Sequence, residues 1–216
     1  MDAELVRSWV EGWAVSRGAA PPVEEPWGFT IDVGLAGQVT RHVLLDADAP
    51  LIRKLTGTAT APGTWLKFFL PPDAVASCVA PGWRFDIDGF LMSARLRTTG
   101  AVAPRGYRVR TWARGGTTRV LVLTEDGAFA ARGQIAVPAP GRPAVVDQVE
   151  TSPAHRRRGL GSLVMRTLAN AAVEVGSSAA VLGATIEGRA LYESLGWRTD
   201  GPLTGLIREA SPDMSG

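Results

Sequence analysis

Near the start of the chain apolar residues recur every three to four positions, so that Leu5, Val6, Trp9, Val10 and Trp13 fall on one side of a helix. Asp2 stands where an N-cap belongs, and Gly18 followed by Pro21 and Pro22 stops the helix. The period then changes to two. Phe29, Ile31 and Val33 alternate with polar neighbours as a half-buried strand does, and residues 39–45 predict a second strand. Pro50 and Gly57 bracket a short helix carrying Leu51, Ile52 and Leu55. Residues 65–69 predict a strand, 72–78 a short helix, and 84–92 a strand interrupted by Gly89.

A turn-rich stretch, residues 98–106, marks the expected boundary between two halves. Beyond it, residues 107–112, 119–123 and 128–137 predict strands, with Asp126-Gly127 as a hairpin signal. Residues 144–149 predict a further strand. From Leu160 the apolar positions Leu163, Val164, Leu168, Ala171 and Val175 define a helical face that Gly176 ends, and the apolar run 179–182 suits a buried neighbouring strand. Strand, helix and strand in that order imply a parallel crossover. The expected class is α/β (α+β) with a mixed central sheet: an α+β half over 1–104, a core over 105–210 and a flexible tail over 211–216.

Between that strand and that helix stands His155-Arg156-Arg157-Arg158-Gly159-Leu160-Gly161. The first amides of a helix have no intrahelical acceptor and carry the positive end of its dipole, so a basic glycine turn at this place forms a phosphate cradle. Gly159 and Gly161 let phosphates approach the backbone. The turn lacks the Gly-Lys-Ser/Thr of a P-loop and the third glycine of a dinucleotide fingerprint, which excludes both readings.

Pro153, Arg156, Gly159 and Gly161 occupy the places of Arg/Gln-x-x-Gly-x-Gly/Ala, the acyl-CoA pyrophosphate loop of the GCN5-related N-acetyltransferases (GNAT), which the chain resembles over residues 107–208. A second segment, residues 185–197, is similar to that family's Asn-x-x-Ala-x-x-Leu-Tyr-x-x-x-Gly-Phe: Leu191, Tyr192 and Gly196 match and Trp197 is an aromatic replacement. Thr185 and Gly188 depart from it, where Asn and Ala are common.

The resemblance implies a GNAT-type sheet, acetyl-CoA as co-substrate and an amine acceptor. It assigns the cofactor to Val149, Thr151, Arg156, Arg157, Arg158, Gly159, Leu160, Gly161, Ser162 and Thr185, with backbone amides of 149–151 on the pantetheine arm and one of them serving the oxyanion. It makes Tyr192 the acid for the departing thiolate. For the base, Asp147, Glu150, Glu125 and the pair Asp86 and Asp88 are candidates, and Glu150 is preferred; residues three apart on a strand face opposite ways unless a bulge intervenes. Leu191 and Leu195 are expected to form the buried stripe, with Tyr192 at its border. Family members place two helices between their first two strands, for which residues 113–118 are too short. Residues 1–104 are therefore expected to supply that wall and shape the acceptor pocket, with a degenerate second copy of the fold as an alternative.

Composition narrows the remaining classes. A net charge of +2 gives no general basic field for nucleic acid, although the pI is about 9.1. Arginine dominates, since Lys54 and Lys67 are the lysines among 23 basic residues. The single cysteine, Cys78, and the separated His42 and His155 offer no metal-ligand spacing. An acidic N-terminus and the lack of any ~20-residue apolar run point to a cytoplasmic protein without a membrane anchor. Asp86 and Asp88 are expected on a solvent-facing edge, Trp65, Phe68, Phe69, Trp83 and Phe85 mostly in the core, and His155 alone at the surface. A strand near 203–208 offers an edge for a homodimer, unless the first half covers it. The expected activity is acetyl transfer to a primary amine of a small molecule. The alternatives are a protein acceptor and an acyl-CoA-binding sensor without turnover.

Overall fold

Asp2 accepts hydrogen bonds from the Glu4 and Leu5 amides and so caps α1 (Ala3–Arg17), which Gly18 ends in the left-handed conformation at φ 63°. The computed structural model describes residues 1–210, and the tail expected over 211–216 lies outside them. After α1 come β1 (Val23–Glu25), β2 (Gly28–Leu35), β3 (Gln38–Leu44), α2 (Ala49–Thr58) and β4 (Thr64–Phe68). A short α3 (Pro72–Val75), extended by a 3₁₀ turn to Cys78, leads to β5 (Trp83–Phe85) and β6 (Gly89–Arg95). The second half holds β7 (Tyr107–Arg114), β8 (Thr117–Thr124), β9 (Phe129–Ala136), β10 (Ala144–Thr151), α4 (Leu160–Glu174), β11 (Ala179–Thr185), α5 (Ile186–Ser194) and β12 (Arg198–Arg208).

Two local expectations change, and the link at 113–118 is as short as expected. Residues 84–92 form two strands, because the chain leaves β12's far end after β5 and re-enters the sheet at Gly89, where a Cβ would stand 2.6 Å from the Ala184 carbonyl oxygen. Residues 113–118 form a hairpin on Gly115 and Gly116, both at positive φ. On α4 the buried positions are Leu160, Leu163, Val164, Met165, Leu168 and Ala172; Ala171 is only half-buried, and Val175, past the last helical turn, is 61% exposed.

The strands follow the order β1-β2-β3-β4-β12-β6-β11-β10-β9-β8-β7. Two pairs are parallel, β3 with β4 and β10 with β11, each joined by a helix. The remaining neighbours are antiparallel, and with the edge strand β7 set aside the order is symmetric about the central β12–β6 pair. β6 from the first half lies against β11, and β12 from the second lies against β4. The 98–106 stretch therefore does not separate two sheets. It also follows that 203–208 is no free edge, since β12 pairs with β6 up to Leu203, with β4 over 204–207 and with β5 over 206–208.

Strand alternation assigns the faces. Val146 and Leu182 point toward α4, whereas Val145 and Val181 join Val6, Trp9 and Val10 of α1. α1 touches β9, β10 and β11 and also β2, although five strands lie between β2 and β10. A flat sheet would separate those two by about 29 Å at ~4.8 Å per strand, against a helix about 10–12 Å wide. The sheet therefore curls around α1. Gly12 permits the contact, because a Cβ there would stand 2.2 Å from Val145 Cγ2. No described helix is long and apolar enough to cross a membrane.

Candidate active site

The two parallel strands of the second half part almost at once. β10 pairs with β11 at Ala144↔Ala180 and Val145↔Val181 and then diverges, while its other edge continues along β9 through a bulge between Asp147 and Glu150. Gln148 sits in that bulge at φ 53°. On the β11 side, the backbone of residues 146–151 is consequently free of sheet partners. It borders a cleft of about 850 Å³ that also reaches Gly183, Arg156, Arg157, the first turn of α4 and Tyr192.

At one end of the cleft the turn delivers an open helix terminus. Gly159 is the N-cap of α4 at φ 77° and gives no side-chain cap, and Arg157 is also left-handed at φ 61°. Among the described residues the amides of Leu160, Gly161 and Ser162 have no hydrogen-bond acceptor. Three free amides at the positive end of a 15-residue helix suit a diphosphate. Gly161 also keeps α4 close to α5, since a Cβ there would lie 2.9 Å from Leu191 Cδ2.

The neighbouring basic side chains divide. Arg156 and Arg157 line the cleft. Arg158 instead donates to the Tyr107 hydroxyl at 3.2 Å, and that hydroxyl lies 3.0 Å from His155 Nδ1. His155, expected alone at the surface, thus joins Tyr107 and Arg158 in a bracket that ties the turn to β7.

At the opposite wall Thr185 lines the cleft and caps α5, its hydroxyl accepting from the Gly188 amide at 3.1 Å. Gly188 makes room beside it: a Cβ would stand 3.1 Å from Tyr192 Cε2 and 3.3 Å from Thr185 Oγ1. Tyr192, rather than Leu191 or Leu195, is the buried member of α5; the two leucines are half-buried, because the helix turns its tyrosine edge toward Trp197, 6.1 Å away between ring centres. Its hydroxyl has no hydrogen-bond partner among the described residues and it lines the cleft. Burial, and secondarily the charge of Asp147, push its pKa up to about 12.

The carboxylates separate by environment. The bulge allows both Asp147 and Glu150 to border the cleft. Glu150 lies on the rim, half exposed and paired to Arg132 at 2.8 Å. Asp147 is 13% exposed and receives Arg17 Nε at 2.5 Å, Arg17 Nη2 at 2.9 Å and the Ser16 hydroxyl at 3.0 Å. Asp86, in the loop after β5 rather than within a strand, accepts from Lys67 Nζ at 2.6 Å. Glu125 stands at the β8–β9 turn, away from the cleft lining. Sequence periodicity could not find Ser16 and Arg17 as partners of the site, because they arrive from a helix 130 residues upstream of Asp147. Among the described residues no group of three or more His, Cys, Asp or Glu side chains could hold a metal ion.

With this geometry in view, the chain matches the acetyltransferase (GNAT) family model over residues 91–197. Among solved structures it is similar to a GCN5-related N-acetyltransferase from Kribbella flavida, with 19% identity, TM-score 0.64 and coverage of 98% of this chain and 97% of that one. A GNAT-family acetyltransferase structure from Novosphingobium aromaticivorans shares 20% identity at TM-score 0.59, covering 97% and 98%. A tandem GNAT protein from the clavulanic acid biosynthesis pathway shares 15% identity at TM-score 0.55, covering 98% and 97%. Among curated proteins no sequence matches this one.

Proposed function

Because residues 91–197 belong to the acetyltransferase (GNAT) family, we propose that this protein is an N-acetyltransferase that takes its acetyl group from acetyl-CoA and delivers it to a primary amine of a small molecule. The observation that carries the reading is the parting of β10 from β11 beside the open N-terminus of α4, with the Tyr192 hydroxyl in the same cleft. These features fit the co-substrate: free helix amides for a diphosphate, and an unpaired strand edge for an extended amide-bearing arm.

In this reading the amides of Leu160, Gly161 and Ser162 hold the diphosphate, with Arg156 and Arg157 adding charge. The backbone at Val149 to Thr151 holds the pantetheine arm, as an added strand would be held. Thr185 acts indirectly, by fixing the start of the helix that carries Tyr192. When bound, acetyl-CoA supplies an acyl group activated as a thioester. Tyr192 keeps its proton at Oη through neutral pH as an ordinary phenol does, which is the state a general acid requires, and burial pushes its pKa further up to about 12. Asp147 replaces Glu150 as the favoured group for the acceptor's ammonium, since it lies inside the cleft and Glu150 is held at the rim by Arg132.

The symmetric strand order supports a further reading, that residues 1–104 are a degenerate copy of the fold that exchanges its last strand, β6, with β12 of the 105–210 half. α2 takes the place of α4 in that copy. It is entered through Asp46 and Asp48 instead of arginine and glycine, and Asp48 caps the helix itself, so a phosphate would meet carboxylates there. Among the described residues one cradle therefore remains.

Thiol release from acetyl-CoA across a panel of amines, polyamines, amino acids and short peptides tests the function, with Tyr192→Phe in parallel. Release with one amine class, strongly reduced in the variant, is the expected result. Tight acetyl-CoA binding with no release from any acceptor would favour a sensor without turnover, and absence of binding would overturn the assignment of the cleft.

A further inference from the structure

The face of the sheet that carries α1 holds a group of charges that core packing does not explain. Arg41 on β3 and Trp65 on β4 are register partners, as are Val43 and Lys67, so all four side chains share the concave face. The Arg41 guanidinium carbon lies 3.9 Å from the ring centre of Trp13 and 5.6 Å from that of Trp65. The Trp13 ring also lies near Arg17, whose guanidinium carbon is 5.5 Å from its centre. Arg17 in turn grips Asp147 at the mouth of the parted strands. Trp13 therefore links the reacting end of the cleft to Arg41.

The charges in this corner do not balance. Arg17 is matched by Asp147 and Lys67 by Asp86, both as close ion pairs. Arg41 has no carboxylate partner although it is 7% exposed. Its neighbour Gln38, with the side-chain amide turned so that its oxygen faces the guanidinium, accepts from Nε at 2.8 Å and Nη2 at 2.9 Å. That satisfies two N–H groups without neutralising the charge. Burying a guanidinium without a counter-charge is costly, and a continuation of the Phe29, Ile31 and Val43 surface would avoid the cost. Burial, and after it the nearby Arg17, press Arg41's pKa down to about 9, against the opposing pull of Asp147 and Asp86.

The floor of the same corner is kept low. A Cβ on Gly205 would meet Lys67 Nζ at 2.4 Å and Asp86 Cβ at 2.9 Å, so the lysine lies flat on the β12 backbone. The loop that supplies Asp86 leaves Ile87 70% exposed at the rim.

We propose that Arg41, beside Trp13 and Trp65, is the subsite for an anionic group of the acceptor, and that the acceptor is an amine carrying a carboxylate, its amine toward Asp147 and its carboxylate toward Arg41. This rests on the acetyltransferase reading above and names its substrate class. A guanidinium with N–H groups to spare beyond the two facing Gln38, and with aromatic rings beside it, recognises a planar carboxylate well. Lys67, already held by Asp86, adds a second positive charge nearby.

The test is calorimetric titration of the full chain, without acetyl-CoA, using α- and ω-amino acids and dipeptides, each beside its own carboxamide. The expected result is that at least one carboxylate binds tenfold or more tightly than its amide, and that Arg41→Gln, with an unchanged circular dichroism spectrum, removes the difference. Equal binding of acids and amides, or no binding of any acid, would overturn the proposal. If Arg41→Gln does not fold, the wild-type comparison still overturns the proposal when acids and amides bind alike, and Arg41→Lys then tests whether a preference for acids depends on the guanidinium. If carboxylates bind as expected but acetyl-CoA yields no thiol with any of them, the subsite stands and the acetyltransferase reading fails.

Discussion

Arg17, the last residue of α1, holds Asp147 of the β10 bulge by two parallel hydrogen bonds, of 2.5 Å and 2.9 Å. One end of the chain's first helix is thereby fixed to the strand that opens the cleft. Such fork geometry is the most specific that arginine offers a carboxylate.

Replacing Arg17 by Ala should lower stability by about 1–2 kcal/mol, below the roughly 3–5 of a fully buried pair, because Arg17 is 30% exposed. Asp147 would keep Ser16 but lose its charge partner. Urea denaturation measures the first effect. A rise in the acceptor KM with acetyl-CoA affinity unchanged measures the second, and equal loss of both affinities would contradict the placement of Asp147 on the acceptor side.

Gly12→Ala sets two effects against each other. Alanine gains about 1 kcal/mol of helix propensity over glycine. Against that, the new Cβ would lie 2.2 Å from Val145 Cγ2 and 2.8 Å from Val145 Cβ, atoms of a short branched side chain that cannot swing away. Overpacking of this kind costs about 1–3 kcal/mol, so the melting temperature should fall. A rise would show that α1 is free to lift from β10.

Tyr192→Phe should reduce kcat by about 10²–10⁴-fold while leaving the Kd for acetyl-CoA unchanged. The chain holds two tyrosines, Tyr107 and Tyr192, which makes the ionisation directly visible. The tyrosinate absorbance missing from the variant should be the part that rises near pH 12. Since the folded pKa is raised above its ordinary value, the stability this gives is complete below pH ~10 and lost as pH climbs from there toward 12.

Thr185→Ala removes the cap of α5 and should cost about 1 kcal/mol. Thr185→Asn, which restores the residue common at this place and is an equally good cap, should retain both stability and activity. If Asn fails as Ala does, then the threonine hydroxyl is needed by something other than the Gly188 amide.

Gly159→Ala introduces a side chain into open space, with no atom within 4 Å, but at φ 77°. The strain of about 1–2 kcal/mol should appear mainly as weaker CoA binding, five- to thirtyfold by calorimetry, because the turn can relax only by turning its amides out of line. Unchanged affinity would mean that the α4 terminus is not the diphosphate site.

Much of this was legible in the chain itself. Asp2 and Gly18 bound α1, the 3.6-residue rhythm after Leu160 announced α4, and the glycine turn at 155–161 announced an open helix terminus, because capping, amphipathic period and free helix amides are local properties that neighbours in sequence dictate. The motif singled out Tyr192 for the same reason, and the fold puts it in the cleft lining. What the tertiary structure alone decided was pairing across distance. That β6 and β12 trade places between the halves, that Glu150 turns to Arg132 while Asp147 meets Arg17, and that Arg41 ends beside Trp13 and Trp65 all depend on how a curled sheet closes around one helix. Side-chain period tells which residues share a face; it carries no information about which other face, a hundred residues away, that face will meet.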